Sequence, residues 1–161
     1  MSYGDPSWQP WVLPLTQALP IMKYAYDRGI NTFDVADAYS NGQSERIIGA
    51  FLTKYNIPRH KIVIMTKIFF NVYDVGTEVQ ALQQGVNDGG QVNQVGLSRK
   101  HVFEAVEGCL QRLGVEYVDV LQIHRLDREI TKEEMMRGLS DVVDSGKARY
   151  LGASSVSFSP S

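Results

Sequence analysis

Four short apolar runs constrain this 161-residue chain more than any other feature, because each one closes on a polar side chain. They are Asn31–Val35, Lys61–Lys67, Tyr117–Ile123 and Arg149–Ala153. Asp34 sits at the end of the first, Lys67 closes the second, His124 follows the third and Ser154 follows the fourth. Continuous apolar runs of this length, rich in β-branched residues, suit strands buried on both faces of a parallel sheet. The segments between them carry the helical period. Strand and helix in alternation predict an α/β fold with parallel strands and right-handed crossovers. No internal repeat or linker divides the chain, so residues 1–161 read as a single domain.

The first twenty residues are rich in Pro, Trp and turn formers and read as loop. Ile21–Arg28 reads as a short helix with Ile21, Met22 and Ala25 inward, stopped by Gly29. Ser44 is placed to cap a second helix whose inner side carries Ile47, Ile48, Phe51 and Leu52. Phe69–Gly96 has many Gly, Asn and Gln and little periodicity. It reads as an insertion over the site, with a short helix near Glu78–Gln84. Ser98 is placed to cap a third helix running to Arg112, with Val102, Val106, Cys109, Leu110 and Leu113 inward and Gly114 as its stop. Thr131 and Glu134 form a T-x-x-E capping box for a fourth helix, which Gly146 ends.

Composition narrows the function. A net charge of −2 gives no basic excess for nucleic acid. No apolar stretch approaches the roughly 20 residues that span a bilayer. Met1–Pro10 lacks the basic flank and apolar core of a signal peptide. One cysteine, Cys109, excludes an internal disulfide framework and reads as a buried thiol. A cytoplasmic protein is expected. His60 and His101 read as exposed, and no His, Cys or carboxylate cluster has metal-ligand spacing.

Taken singly, each strand-end residue has a structural explanation as a turn, cap or packing group. Taken together they define a site, because functional groups of parallel α/β sheets gather at the C-terminal edge. Tyr39 lies in the loop after the first strand, five positions from Asp34. The chemistry that fits is proton transfer to a carbonyl oxygen. Tyr39 is the general acid or base, Lys67 its tuner, Asp34 the anchor for Lys67, and His124 the group that orients the carbonyl. Trp8, Trp11, Phe69, Phe70 and Tyr73 are candidates to shape an apolar substrate pocket, with Trp8 and Phe69 foremost. Arg125 and Asp127 read as a pair at the rim.

The stretch F-D-V-A-D-A-Y-S-N-G-Q-S-E-R-I-I-G, Phe33–Gly49, resembles the active-site signature of the aldo-keto reductases. It is most similar to their fungal aryl-alcohol-dehydrogenase and polyketide-ketoreductase-like branch. The resemblance implies a catalytic tetrad of Asp34, Tyr39, Lys67 (in I-M-T-K) and His124 (in L-Q-I-H-R-L-D). It implies that Asp34, Ser154 and Ser155 belong to the cofactor site. Ser154 and Ser155 follow Gly152 in a motif that meets the nicotinamide carboxamide. The implied reaction is reversible hydride transfer from NADPH to an aldehyde or ketone.

The resemblance covers nearly all of this chain but about half of the family's length. It therefore implies a partial (β/α) TIM-type barrel of about four parallel strands, against the roughly 250 residues of a complete barrel. Four parallel strands leave two open edges, so a homodimer that completes the half-barrel is expected. A second expectation is a cofactor-independent isomerase, lyase or cyclase that reuses the same tetrad without the family's later cofactor loops.

Overall fold

The computed structural model describes residues 1–73 and 87–154. The expected short helix near Glu78–Gln84 lies outside the described residues, as does Ser155. The elements run α1 (Leu15–Tyr26), β1 (Thr32–Asp34), α2 (Gln43–Lys54), β2 (Val63–Ile68), α3 (Arg99–Leu113), β3 (Val118–Ile123), α4 (Lys132–Asp144) and β4 (Ala148–Ala153). Short 3-10 turns cover Arg59–Lys61 and Gly89–Gln91. The four strands form one all-parallel sheet in the order β1-β2-β3-β4. Each expected strand is found within two residues of its expected ends: β1 and β3 are shorter, β2 starts later and runs on to Ile68, and β4 starts one residue earlier at Ala148.

The sheet buries one face and leaves the other partly open. On the covered face, Ile64, Thr66 and Ile68 of β2 and Leu121 and Ile123 of β3 are buried. Against them pack Val102, Val106 and Cys109 of α3 and Met135, Leu139 and Val142 of α4. Phe33 of β1 meets Phe51 of α2 at 5.6 Å between ring centroids. Full burial of side chains such as Phe51 and Ile64 is worth about 1.5–3 kcal/mol each. On the opposite face Asp34, Lys67, Gln122 and Gly152 stand across the four strands, with Lys67 in register with Gln122 and Gln122 with Gly152. Tyr150 lies on that face and is 70% exposed.

Several local expectations are corrected. The first helix starts at Leu15, six residues earlier than read, and carries Pro20 in its interior. Its buried side chains are Ala18, Leu19 and Met22, whereas Ile21 is exposed. Burial of that stripe outweighs the rung that Pro20 cannot donate. Ser44 does not cap α2. Gly42, in the left-handed region at φ 80°, is the N-cap, and the Ser44 hydroxyl donates to the Tyr3 carbonyl. The capping box on α4 is half formed. Thr131 Oγ1 accepts from the Glu134 N–H, but the Glu134 carboxylate turns to the Arg99 N–H on α3. Ser98 caps α3 as expected, accepting from the His101 N–H, and Gly114 at φ 66° stops it.

Helices α2 and α3 approach closely at Gly49. A Cβ there would lie 2.7 Å from the Leu113 carbonyl oxygen. Beside this contact Glu45, fully buried, accepts from Arg112 Nε and from Thr66 Oγ1, both at 2.6 Å. Removing one partner of a buried ion pair strands the other charge. Glu45→Ala is therefore expected to cost roughly 3–5 kcal/mol in denaturant unfolding. A change below about 1 kcal/mol, the range of a surface pair, would contradict this reading.

Candidate active site

At the C-terminal edge of the sheet, each strand end is tied to its neighbour by one more backbone bond. Asp37 N–H donates to the Lys67 carbonyl at 3.0 Å, His124 N–H to the Ile68 carbonyl at 3.0 Å and Ser154 N–H to the Ile123 carbonyl at 2.9 Å. These rungs fix where the loops leave the sheet. They bring the strand-end residues of four different strands to a common edge.

Lys67 is the buried member of the group, 6% exposed. Its Nζ donates to the Asp34 carboxylate and, at 3.0 Å, to the Val35 carbonyl. The same Nζ stands 5.1 Å from the centroid of the Tyr39 ring. Tyr39 in turn packs edge-on against the His124 ring at 5.6 Å. Asp34, Lys67, Tyr39 and His124 thus form one contiguous cluster.

Tyr39 owes its position to a tight turn. Its N–H donates to the Ala36 carbonyl at 3.3 Å, and Ser40 and Asn41 follow with φ of 54° and 52°. Few side chains tolerate two successive left-handed residues, and asparagine is among those that do. The S-N-G segment thus turns the chain back into α2 immediately after the tyrosine.

His124 is held uncharged. Burial pushes its imidazole down to about 4, the Lys67 and Arg125 charges push the same way, and Asp34 opposes them. Its buried Nδ1 has no hydrogen-bond partner among the described residues. A neutral imidazole offers one N–H donor and one acceptor, which suits a carbonyl oxygen.

The aromatic candidates divide. Phe70 is the ring that touches His124, at 5.2 Å and near-perpendicular. Phe69 packs on Phe70 at 5.1 Å and against the core. Trp8 sits edge-on to Trp11 at 6.2 Å in the N-terminal segment. Tyr73 is joined to the Tyr39 turn, its N–H donating to Asn41 Oδ1 at 2.8 Å. Arg125 and Asp127 do not pair. The two Asp127 oxygens accept instead from the Leu97 and Glu129 N–H groups, at 2.7 and 2.9 Å. That carboxylate staples the loop after β3 to the start of α3. His101, expected at the surface, is 5% exposed beneath it. Cys109 is buried, and burial raises its thiol well above the usual range, with Glu45 adding to the effect. No group of His, Cys, Asp or Glu among the described residues could hold a metal ion. No helix among them is long and apolar enough to cross a membrane.

The aldo/keto reductase family model matches residues 1–160, and the chain belongs to that family. It is 56% identical over 157 residues to the versiconal hemiacetal acetate reductase of Aspergillus parasiticus, covering 97% of this chain and 46% of that protein. It is 50% identical over 162 residues to a Saccharomyces cerevisiae protein named as an aryl-alcohol dehydrogenase, covering 97% of this chain and 46% of that one. The chain thus spans about half the length of the curated relatives it matches. It superposes on an aldo-keto reductase of Bacillus halodurans, solved in its holo form, with a TM-score of 0.71 at 26% identity. That alignment covers 96% of this chain and 45% of the other. The four-stranded parallel sheet therefore corresponds to part of the barrel of these enzymes.

The depressed titration of His124 has a consequence for stability. In the unfolded chain an imidazole takes up its proton near 6.5, while the folded one resists until about 4. The folded state is therefore penalised progressively as pH falls from about 6.5 to about 4. Denaturation midpoints of the wild type and His124→Gln are expected to converge across that window. A constant gap between them from pH 7 to pH 4 would remove His124 from the acid sensitivity.

Proposed function

We propose that this chain carries the proton-transfer half of a carbonyl-reducing site, acting on a polyketide-like or aromatic aldehyde or ketone. The single observation that carries the reading is the cluster itself. The Tyr39 ring has the Lys67 ammonium 5.1 Å from its centroid and the neutral His124 imidazole edge-on at 5.6 Å, at an edge where a small molecule can approach. The named activities of the relatives support the substrate class.

The residues fit the nicotinamide end of NADPH. Ser154 follows β4 on the same edge as His124 and Asp34, and Gly152, in register with Gln122, lets the Gln122 side chain lie across its strand, where a Cβ would stand 3.0 Å from Gln122 Cγ. Asp34, Ser154 and Ser155 would hold the cofactor there, and NADPH when bound would supply the hydride. The chain's own residues do the rest. His124 donates a hydrogen bond to the carbonyl oxygen and orients it. Tyr39 passes its phenolic proton to that oxygen as negative charge builds there. Lys67 stabilises the charge left on Tyr39, and Asp34 with the Val35 carbonyl keeps the ammonium in place. In the direction of alcohol oxidation Tyr39 takes the proton back.

The reading includes a homodimer across the open sheet face. The exposure of Tyr150 and Thr32 on that face supports it, as do the outer edges of β1 and β4. Light scattering at micromolar concentration is expected to give twice the chain mass. A monomer would count against the dimer.

The decisive experiment follows NADPH oxidation with an aromatic aldehyde and compares wild type with Tyr39→Phe. The variant is expected to lose 10²–10⁴-fold in kcat, the usual worth of a positioned general acid, with cofactor affinity by tryptophan quenching little changed. Undiminished turnover in the variant would remove Tyr39 from the mechanism. Turnover of a carbonyl substrate by the wild type with no change in the cofactor would replace hydride transfer with redox-neutral acid–base chemistry.

A further inference from the structure

Asp37 is a second aspartate in the signature stretch, three positions after Asp34, and no step of the chemistry above uses it. It is 1% exposed. The parallel ladder between β1 and β2 runs past the strand ends through Val35 N–H to Met65 O at 2.8 Å and Asp37 N–H to Lys67 O at 3.0 Å. In a parallel ladder the next donor, Phe69 N–H, would find the carbonyl of residue 37. Here it finds the Asp37 side chain instead, donating to Oδ2 at 3.3 Å. The other oxygen, Oδ1, accepts from the Ala38 N–H at 2.5 Å. The backbone is thereby free to leave the sheet at residue 37 and turn toward Tyr39, while the carboxylate keeps the end of β2 tied down.

What hangs from that substitution is the reactive cluster. Ala38 precedes Tyr39 directly. Phe69 precedes Phe70, whose ring meets His124, and Tyr39 meets the same imidazole from another side. We propose, resting on the reading of Tyr39 and His124 given above, that Asp37 is a positioning residue. Its carboxylate acts as the last rung of the β1–β2 ladder and sets the distance between the Tyr39 turn and the Phe70–His124 pair.

The groups around Asp37 suit a fixed internal acceptor better than a reacting one. Glu45 and Arg112 face it from α2 and α3, and their charges are spent on each other. Burial raises the Asp37 carboxyl well above the usual range, Glu45 adds to this, and Arg112 and the two backbone donors oppose it.

The test is Asp37→Asn, read by NMR on the full chain. An amide side chain has one acceptor oxygen for two donors, so one rung must fail. The longer bond, to Phe69, is expected to go. Hydrogen exchange at the Phe69 amide should then accelerate at least about tenfold, with far-UV circular dichroism unchanged. As the aromatic cage loosens, the His124 titration midpoint should move up from about 4 toward 6.5. A purely structural residue would lower global stability without moving the midpoint of a folded histidine. An unchanged His124 midpoint together with unchanged exchange at Phe69 would overturn the proposal. Should the variant not fold, the wild type decides. Ala38 and Phe69 amides are expected to open with the same free energy, because one carboxylate closes both, and unrelated values would overturn it. None of these readouts needs turnover. A moved His124 in a protein that reduces no carbonyl would leave the rung standing and remove the reductase reading, and the reverse result would do the opposite.

Discussion

A buried ammonium must be compensated, and the arrangement around Lys67 follows from that requirement. Nothing in a parallel strand obliges its last residue to be a lysine, and taking its charge out of water is costly unless the geometry is good. The partners are Asp34 and the Val35 carbonyl, both at the end of the adjacent strand. Satisfying Lys67 therefore requires β1 and β2 to be paired in this register, since a slip of one residue would carry Asp34 to the opposite face. The side chain of Asp34 remains half in water while that of Lys67 does not. The pair is thus anchored on the buried side and open on the other, which leaves the charge accessible to Tyr39.

A second charged group mirrors the first on the covered face of the sheet. Glu45 and Arg112 join α2 to α3, and Thr66, the residue before Lys67, joins them to β2. Adjacent positions of one strand thus serve opposite faces, Thr66 toward the helices and Lys67 toward Asp34 and Tyr39. Asp37 lies close to the outer group and is tied to the inner one. The helical layer and the reactive edge are joined at that point through hydrogen bonds as well as packing.

Much of this was legible in the sequence because the signals were local and agreed with one another. Apolar runs bounded by polar strand ends gave the sheet, and Ser98 with Gly114 bracketed α3 as their chemistry requires. Asp34, Tyr39, Lys67 and His124 could be picked out because each follows or closes a run. The misreadings share a different cause: the deciding partner lies far along the chain. Ser44 looks like a cap until its hydroxyl finds Tyr3, 41 residues away. Pro20 looks like a helix boundary until Ala18, Leu19 and Met22 are buried on both sides of it. Asp127 looks like a partner for Arg125 until two backbone amides claim it, one of them 30 residues distant. His101 sits beside the apolar stripe of α3 and is buried with it, which the helical period alone does not indicate. Asp37 draws no reading from the sequence at all, because its bond to the Phe69 amide, 32 residues away, shows only when the ladder is followed past the strand ends.

The near-contact between Gly49 and the end of α3 has a consequence for how variants of this protein would be interpreted. Because α2 rests against backbone there, a methyl group at position 49 could be accommodated only by moving one helix away from the other. Helix α2 follows the Tyr39 turn, and α3 leads into the strand that ends at His124. Such a displacement would be felt as a change in the separation of two groups that Gly49 never touches. A variant at this glycine would therefore read like a change in the Tyr39–His124 cluster itself, and only its position between two helix backbones would identify it as a spacer.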